Sequence, residues 1–475
     1  SSSATFDRPL LTPKIQNVYG ATVDPTAETL SVDSWGKKLS DLTADELNYS
    51  GAKLRNTASN DDVNDFFRTG TTFNNSISVS GGTETVRTYF SYANSYSDGM
   101  MRNNNYKRNT LSFRQSYSLF NKKLNVDLSL NYVQAKTKNR PGGGTVMNPL
   151  YDLYRMPRNV DLNYYKENYY IENGKWTSNE QSYFDSKNNK WTTGTVELTG
   201  PKQEWAYWQN GMNNPYWMVN TRNSISEEER AYGYISANYQ IIDGLKIQGR
   251  LSLDRTKMKG TSERMATTWN ISAMEDYGMY GQDLNWINEV YVDALLSYDK
   301  QIKDFSISAT TGWTGHTLKG ETQKLWAKAT TANWKHDTMP TLINFFEPSV
   351  SQGNVSERSY TLSSNWDKGL LFTGQIGWQE KVYLEGSYRR DWYRAFKQYS
   401  YRGTPTNYGY FSVGANALLH QIVTLPEVIT NLKVRASYSE VGNSIPNVLY
   451  NARNTDPLTG AAVPSSYSYF NNPIP

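Results

Sequence analysis

The stretch LKVRASYS (residues 432–439) has an apolar or aromatic residue at every second position and a polar residue between them. Because successive side chains of a β-strand point to opposite faces, this alternation predicts a strand with one apolar and one polar face. In a soluble sandwich the apolar face packs on a second sheet. In a membrane-spanning barrel it contacts lipid, and the polar face lines a wet interior. The rest of the chain decides between these two arrangements.

The same alternation recurs along the chain, for example in LKIQGRLSL (245–253) and VYVDALLSY (290–298). Several of these runs are joined by very short polar connections, such as residues 243–244 and 303–304, which are typical of β-hairpin turns. The pattern predicts about 13 antiparallel strands. They lie near residues 4–6, 72–80, 86–95, 107–119, 124–136, 230–242, 245–258, 287–301, 305–318, 359–378, 381–394, 408–420 and 431–440.

The connections at the opposite ends of these strands are long and rich in Gly, Asn, Pro and Trp. We place them at residues 7–70, 137–229, 259–286 and 319–358. Outer-membrane barrels have short periplasmic turns and long extracellular loops, whereas a soluble sandwich has no need for this asymmetry. The sequence therefore predicts an all-β chain that forms a transmembrane antiparallel β-barrel with long extracellular loops.

Composition narrows the possible functions. The 36 Tyr and 14 Trp suit surfaces that are apolar on one side and wet on the other. The absence of Cys excludes disulfides and thiolate chemistry, and the three His have no metal-ligand spacing. A net charge of +4 without a dense basic run argues against a nucleic-acid partner. We expect no enzyme activity, no cofactor and no metal.

Six segments carry a resemblance to one family. They are NDDVNDFFRTGTTFNNSISVSGGTE (60–84), TYFSYANSYSDGM (88–100), YKRNTLSFRQSY (106–117), NPLYDLYRMPRNVDL (148–162), NNPYW (213–217) and LKVRASYSEVGNS (432–444). They resemble SusC/RagA-type TonB-dependent outer-membrane transporters of Bacteroidetes. The family's R-x-D-G-S-S-R-F element is matched only in part, by Arg389, Asp391 and Phe396.

The resemblance implies a barrel of about 22 strands around an N-terminal plug. We therefore expect residues 1–475 to be part of such a barrel, with the plug and about nine strands outside this sequence.

The function implied by the resemblance is TonB-dependent import of oligosaccharides across the outer membrane. A SusD-like surface lipoprotein closes over the loops as a lid, and TonB pulls on the plug by using the inner-membrane proton gradient. Outer-membrane lipid surrounds the barrel, and two SusCD pairs can associate as a dimer. An oligopeptide importer of the same family, a passive porin and a soluble carbohydrate-binding β-protein are the alternatives.

Candidate ligand-binding residues lie in the loop at 137–229. Trp176, Trp191, Trp205 and Trp208 would stack on sugar rings or grip peptide side chains at the extracellular mouth. The alternative is that they form the core of the loop itself. A second group of polar residues would face the barrel interior and anchor the plug or hydrate a substrate. These residues are Asp127, Arg250, Asp254, Glu385, Arg389 and Arg435.

Overall fold

A computed structural model gives the structure of most of the chain. It describes residues 13–24, 29–30, 33–47, 53–58, 60–140, 147–185, 187–206, 211–270, 273–274, 278–328, 355–394, 406–426 and 428–442.

One antiparallel sheet of twelve strands dominates the structure. Its strands, in chain order, are β3 (Thr71–Gly82), β4 (Val86–Asp98), β5 (Asn105–Leu119), β6 (Leu124–Lys138), β9 (Asn223–Ile242), β10 (Leu245–Arg264), β13 (Met279–Ile302), β14 (Phe305–Lys328), β15 (Val355–Trp378), β16 (Val382–Tyr393), β17 (Asn407–Leu418) and β18 (Lys433–Ser439). Each strand pairs with the sheet strands that precede and follow it in the chain. The all-β antiparallel prediction is confirmed, and the strand predicted near residues 4–6 lies outside the described residues.

Short and long connections lie at opposite ends of the sheet. At one end, which we call the turn end, strands are joined by tight turns such as 243–244 and 303–304. Gly244 takes a φ of +85° there, a conformation that glycine adopts without steric cost. The connection at 419–432 is the longest at this end and contains a short 3-10 helix, Leu419–Gln421. The opposite end, the loop end, carries the long connections.

The cross-strand register gives the sheet one apolar and one polar face. For example, Leu251 lies opposite Ile235 on one side and Val292 on the other. The neighbouring residue Ser252 belongs to the other face. On β10 the apolar face carries Leu, Ile, Gly, Leu and Leu between Leu245 and Leu253, and Ile247, Leu251 and Leu253 are exposed. We call this stretch, together with its counterparts on the other strands, the apolar band.

Five strands continue further towards the loop end than the sequence pattern predicted. The predicted loop at 259–286 is shorter, because β10 runs to Arg264 and β13 begins at Met279. The predicted bounds at 137–229 and 319–358 are wrong in the same way, since β9, β14 and β15 extend into them. On β10 the residues beyond the apolar band are mostly polar on both faces, so backbone pairing continues there although the alternation has ended.

A small folded unit, which we call the lobe, sits at the loop end. Its helices are α1 (Ala44–Leu47), α2 (Asn60–Asp65), α3 (Pro149–Arg155), α4 (Leu162–Glu167) and α5 (Pro215–Thr221), with a 3-10 turn at Leu39–Asp41. Its small strands are β1 (Val23–Asp24), β2 (Thr29–Leu30), β7 (Tyr170–Asp185) and β8 (Lys190–Gln203); β11 (Trp269–Asn270) and β12 (Ala273–Met274) form the nearby tip of the β10–β13 connection. Among the described residues, no helix is long and apolar enough to span a bilayer.

Candidate functional site

Two short helices of the lobe are fixed by their N-terminal residues. The side chain of Asn148 accepts the backbone N–H of Leu150 at 3.1 Å, and Pro149 begins α3. In the same way Asp161 accepts the N–H of Tyr164 at 3.0 Å and begins α4. Each side chain satisfies a backbone donor that has no partner within its helix. The segment NPLYDLYRMPRNVDL therefore encodes two helix starts.

Aromatic side chains form the centre of the lobe core. The ring of Tyr165 lies 4.8 Å from that of Trp205, and Phe66 lies 5.2 Å from Tyr216, both in edge-to-face contact. Met101, in the turn between β4 and β5, belongs to the same buried cluster. The core of the lobe is therefore continuous with the loop end of the sheet.

The segment NNPYW (213–217) is buried and is held by polar contacts. The side chain of Asn214 accepts the N–H of Tyr216 at 2.9 Å and donates to the carbonyls of Tyr165 and Glu204 at 3.2 and 3.0 Å. Its backbone N–H donates to the side chain of Gln203 at 2.9 Å. Because Asn214 itself and its partners Tyr165, Tyr216 and Gln203 are buried, these hydrogen bonds are costly to lose.

The same segment joins the lobe to the connection between β10 and β13. Asn213 donates to the carbonyl of Trp269 at 3.2 Å, and the indole of Trp217 donates to the hydroxyl of Thr268 at 2.9 Å. Gln203 is fully buried here. Its backbone N–H donates to the Thr267 hydroxyl at 3.0 Å, and its side-chain amide donates to the Thr267 carbonyl. The lobe is therefore attached to the sheet at two separate connections.

The four predicted ligand-binding tryptophans do not share one environment. Trp205 and Trp176 are each only 3% exposed, so their rings contribute to packing in this structure. The side chain of Trp191, on β8, and the whole of Trp208 lie outside the described residues. A ligand-binding role for the four residues remains a prediction.

An exposed indole lies elsewhere on the lobe. Trp35 is 72% exposed and borders a cleft of about 520 Å³, which Lys14, Tyr154 and Arg155 also line. Sequence reasoning missed this cleft because Trp35 stands alone in a polar segment without periodicity.

The loop that carries Trp35 is rigidly held. The side chain of Gln16 donates to the carbonyls of Tyr19 and Ser34 at 2.9 and 2.8 Å, and it accepts the N–H groups of Val18 and Tyr19. The N–H of Arg158 donates to the Ser34 hydroxyl at 3.0 Å. The indole is thus presented to solvent by an ordered loop, an arrangement suited to stacking on a ligand.

The predicted interior residues lie on the polar face of the sheet, and each has a partner. Arg250 contacts Asp293 at 2.7 Å, Arg389 contacts Asp391 at 2.9 Å, and Arg435 contacts Glu385 at 3.1 Å. The remaining pairs are Arg230 with Asp254 and Ser116 with Asp127. Cross-strand pairing, and the two-residue spacing of Arg389 and Asp391, bring these groups together.

Two of these carboxylates are almost fully buried. Asp293 and Asp391 are each 2% exposed, and Asp391 also accepts the hydroxyl of Tyr410 at 2.7 Å. Gly369 makes room for this arrangement, because a Cβ at that position would lie 2.5 Å from a carboxylate oxygen of Asp391. Among the described residues no cluster suited to hold a metal ion is found.

Burial changes the acidity of one carboxyl group in the lobe. Asp152, on α3, is 4% exposed, and this burial raises its pKa to about 7. The backbone N–H of Asn213 donates to it at 3.2 Å and opposes part of the shift. Asp152 therefore links α3 to the NNPYW segment through a group that titrates near neutral pH.

Comparison with known proteins identifies the fold. No family model matches the chain, and no curated protein matches it. The solved structure of the RagAB peptide transporter is similar, with a TM-score of 0.55 and 16% identity over 86% of this chain and 41% of that chain. The RagAB peptide importer is also similar in its open-open state (TM-score 0.57, 16% identity, 89% and 46% coverage) and in its closed-closed state (0.58, 17%, 90% and 46%). This chain spans less than half the length of those proteins.

The hydrogen bonds of Asn214 predict a large effect of its removal. Asn214→Ala removes the side-chain partner of the Tyr165 and Glu204 carbonyls and of the Tyr216 N–H, which should destabilise the lobe by about 2–4 kcal/mol. Hydrogen exchange of α4 and α5 in the full-length protein would measure the loss as faster amide exchange. Asn56→Ala, the same change at an exposed position of the lobe, should have no effect. Equal protection in both variants would contradict the proposed role.

The raised pKa of Asp152 predicts that the lobe weakens as pH rises. The folded lobe binds a proton that the unfolded chain releases between the usual pKa of 3.8 and about 7, so stability falls across that window and levels off above it. The free energy of opening of α3, from hydrogen exchange corrected for intrinsic rates, should be lower at pH 8 than at pH 5 by on the order of a few kcal/mol. Asp152→Asn should abolish this difference, and Asp41→Asn, an exposed control, should retain it.

Proposed function

We propose that this chain is the barrel portion of a TonB-dependent importer of the SusC/RagA type in a bacterial outer membrane. The twelve-stranded sheet, its short turns at one end and its resemblance in fold to the RagAB importers support this function. The short turns face the periplasm, and the lobe faces the outside of the cell.

The apolar band is the observation that carries the proposal. On β10 it extends from Leu245 to Leu253. Nine residues at about 3.4 Å each cover about 30 Å along the strand, which a tilt of about 40° reduces to roughly 23 Å. Membrane barrels have an apolar belt of about 25 Å. A soluble protein would not leave such an area exposed, since Leu253 alone is 52% exposed.

Import of this type also requires a lipoprotein partner, TonB and a plug. A SusD-like lipoprotein captures the substrate above the lobe and closes as a lid, and TonB acts through the plug to open a path. Two pairs, each of one barrel and one lipoprotein, associate as a dimer. The polar face of the sheet carries ion pairs such as Arg250 with Asp293 and Arg389 with Asp391. These pairs keep that face rigid and hydrophilic where it faces the plug. Transport breaks no bond in the substrate, so the protein is not an enzyme.

For the substrate we propose an oligosaccharide, with an oligopeptide as the second candidate. The exposed ring of Trp35 favours the first, because a flat indole can stack on the face of a sugar ring. Likeness in fold to RagAB, a peptide importer, favours the second. Trp191 and Trp208 remain candidates for stacking on the substrate. Trp176 and Trp205 are buried, so the exposed Trp35 at its cleft is the stronger candidate.

Arginine substitutions on the two faces of one strand test the membrane assignment. Leu251→Arg places a charge in the apolar band and should cost about 2–4 kcal/mol, which lowers the amount of folded protein in the outer membrane. Ser252→Arg, on the polar face of the same strand, should insert normally. Quantitative blots of outer-membrane fractions measure both, and equal levels of the two variants would rule out a lipid-facing band.

Removing the exposed indole tests the cleft. Trp35→Ala should reduce uptake of the cognate oligomer only severalfold, because one stacking contact contributes about 0.5–1.5 kcal/mol. Val18→Ala, an exposed change on the same loop, serves as the control. Growth with either an oligosaccharide mixture or an oligopeptide mixture as the sole nutrient identifies the substrate class. Uptake by Trp35→Ala at the wild-type rate would show that the cleft takes no part.

A further inference from the structure

A charged surface begins where the apolar band ends. On β6, β9 and β10 the continuous apolar row ends towards the loop end at Tyr132, Ala231 and Leu253. The next positions on the same face are polar or charged. They include a group that we call the lysine cluster: Lys107, Lys136, Lys257 and Lys259, with Glu227 and Glu229 between them.

The register places two like charges side by side. Lys107 lies directly opposite Lys136, and like charges in that position destabilise a sheet. Lys136 contacts Glu227 at 2.8 Å. Within the part of the chain that the structure describes, Lys107, Lys257 and Lys259 form no ion pair. The cluster thus has four cations for two carboxylates on one face, which leaves an excess of positive charge.

The cluster borders a groove of about 350 Å³ across β5, β6, β9 and β10. Lys136 lies four residues beyond Tyr132, and Lys257 lies four residues beyond Leu253. Four residues of a tilted strand rise about 10 Å, which places these lysines at the outer edge of the headgroup layer, roughly 5–8 Å thick beside the hydrocarbon core. Lysine side chains can also reach back towards the membrane surface.

We propose that the lysine cluster binds the phosphate group of a lipid headgroup in the outer leaflet. The inference rests on the proposed function, because it needs the apolar band in the membrane and the loop end outside the cell. A phosphate between Lys107 and Lys136 would neutralise their repulsion, and Lys257 and Lys259 extend the positive surface to the next strands. The lipid would be held against β5 and β6, outside the transport path.

The test uses the full-length protein purified in a neutral maltoside detergent. Calorimetric titration compares dihexanoyl phosphatidic acid, dihexanoyl phosphatidylcholine and inorganic phosphate. We expect the phosphatidic acid to bind most tightly, with an affinity that falls as salt is added. The double variant Lys107→Gln/Lys136→Gln should lose on the order of tenfold or more in affinity for it.

Two further variants sharpen the test. Lys122→Gln/Lys123→Gln removes the same charge from the turn end of β5 and β6 and should bind as the wild type does. Glu227→Gln frees Lys136 from its carboxylate and should strengthen binding severalfold. A purely structural cluster would not gain affinity in this way.

Several outcomes would overturn the proposal. One is equal loss from the two lysine pairs, which indicates general charge attraction. Another is inorganic phosphate binding as tightly as the lipid, which indicates a site for a free anion. A third is unchanged or weaker binding in Glu227→Gln. Failure of the importer function appears separately, as normal insertion of Leu251→Arg, since none of the lysine variants alters the apolar band.

Discussion

The alternation of side chains along paired strands is the constraint on which this structure depends. With a period of two residues, a shift of one residue in any strand would move its apolar side chains to the polar face. The register avoids this by keeping apolar residues such as Ile235, Leu251 and Val292 in one row. The same register aligns Arg250 with Asp293 on the opposite face. The alternation therefore determines the positions of both the apolar band and the charged residues of the polar face.

The strands and tight turns that follow from this alternation could be predicted from the sequence. The twelve strands of the sheet and turns such as 243–244 could be found because alternation and turn residues are local signals. Strand ends could not be found, since β10 continues to Arg264 through residues that are mostly polar on both faces. Hydrogen bonding of the backbone, which leaves no trace in the side-chain pattern, holds that extension.

The lobe shows a different limit of prediction. Its helices are short, and their positions depend on capping side chains such as Asn148 and Asp161. Sequence reasoning noticed the aromatic residues of this region, yet exposure depends on contacts between distant segments. Trp205 is covered by Tyr165, whereas Trp35 is held outward by a loop that Gln16 braces. No local pattern distinguishes these two tryptophans.

The hydrogen bonds around NNPYW also constrain how this chain can evolve. Gln203 joins Asn213 and Thr267 through buried hydrogen bonds, since its side-chain amide donates to both and its backbone N–H donates to the Thr267 hydroxyl. Replacing any one of these three residues leaves a polar group in the protein interior without its partner. Natural variation should therefore alter these positions together or leave them fixed. The apolar band, for which we propose contact with lipid, is free of that requirement, because lipid accepts any apolar shape. Divergence should therefore be rapid on the apolar band and slow in the few polar residues that attach the lobe.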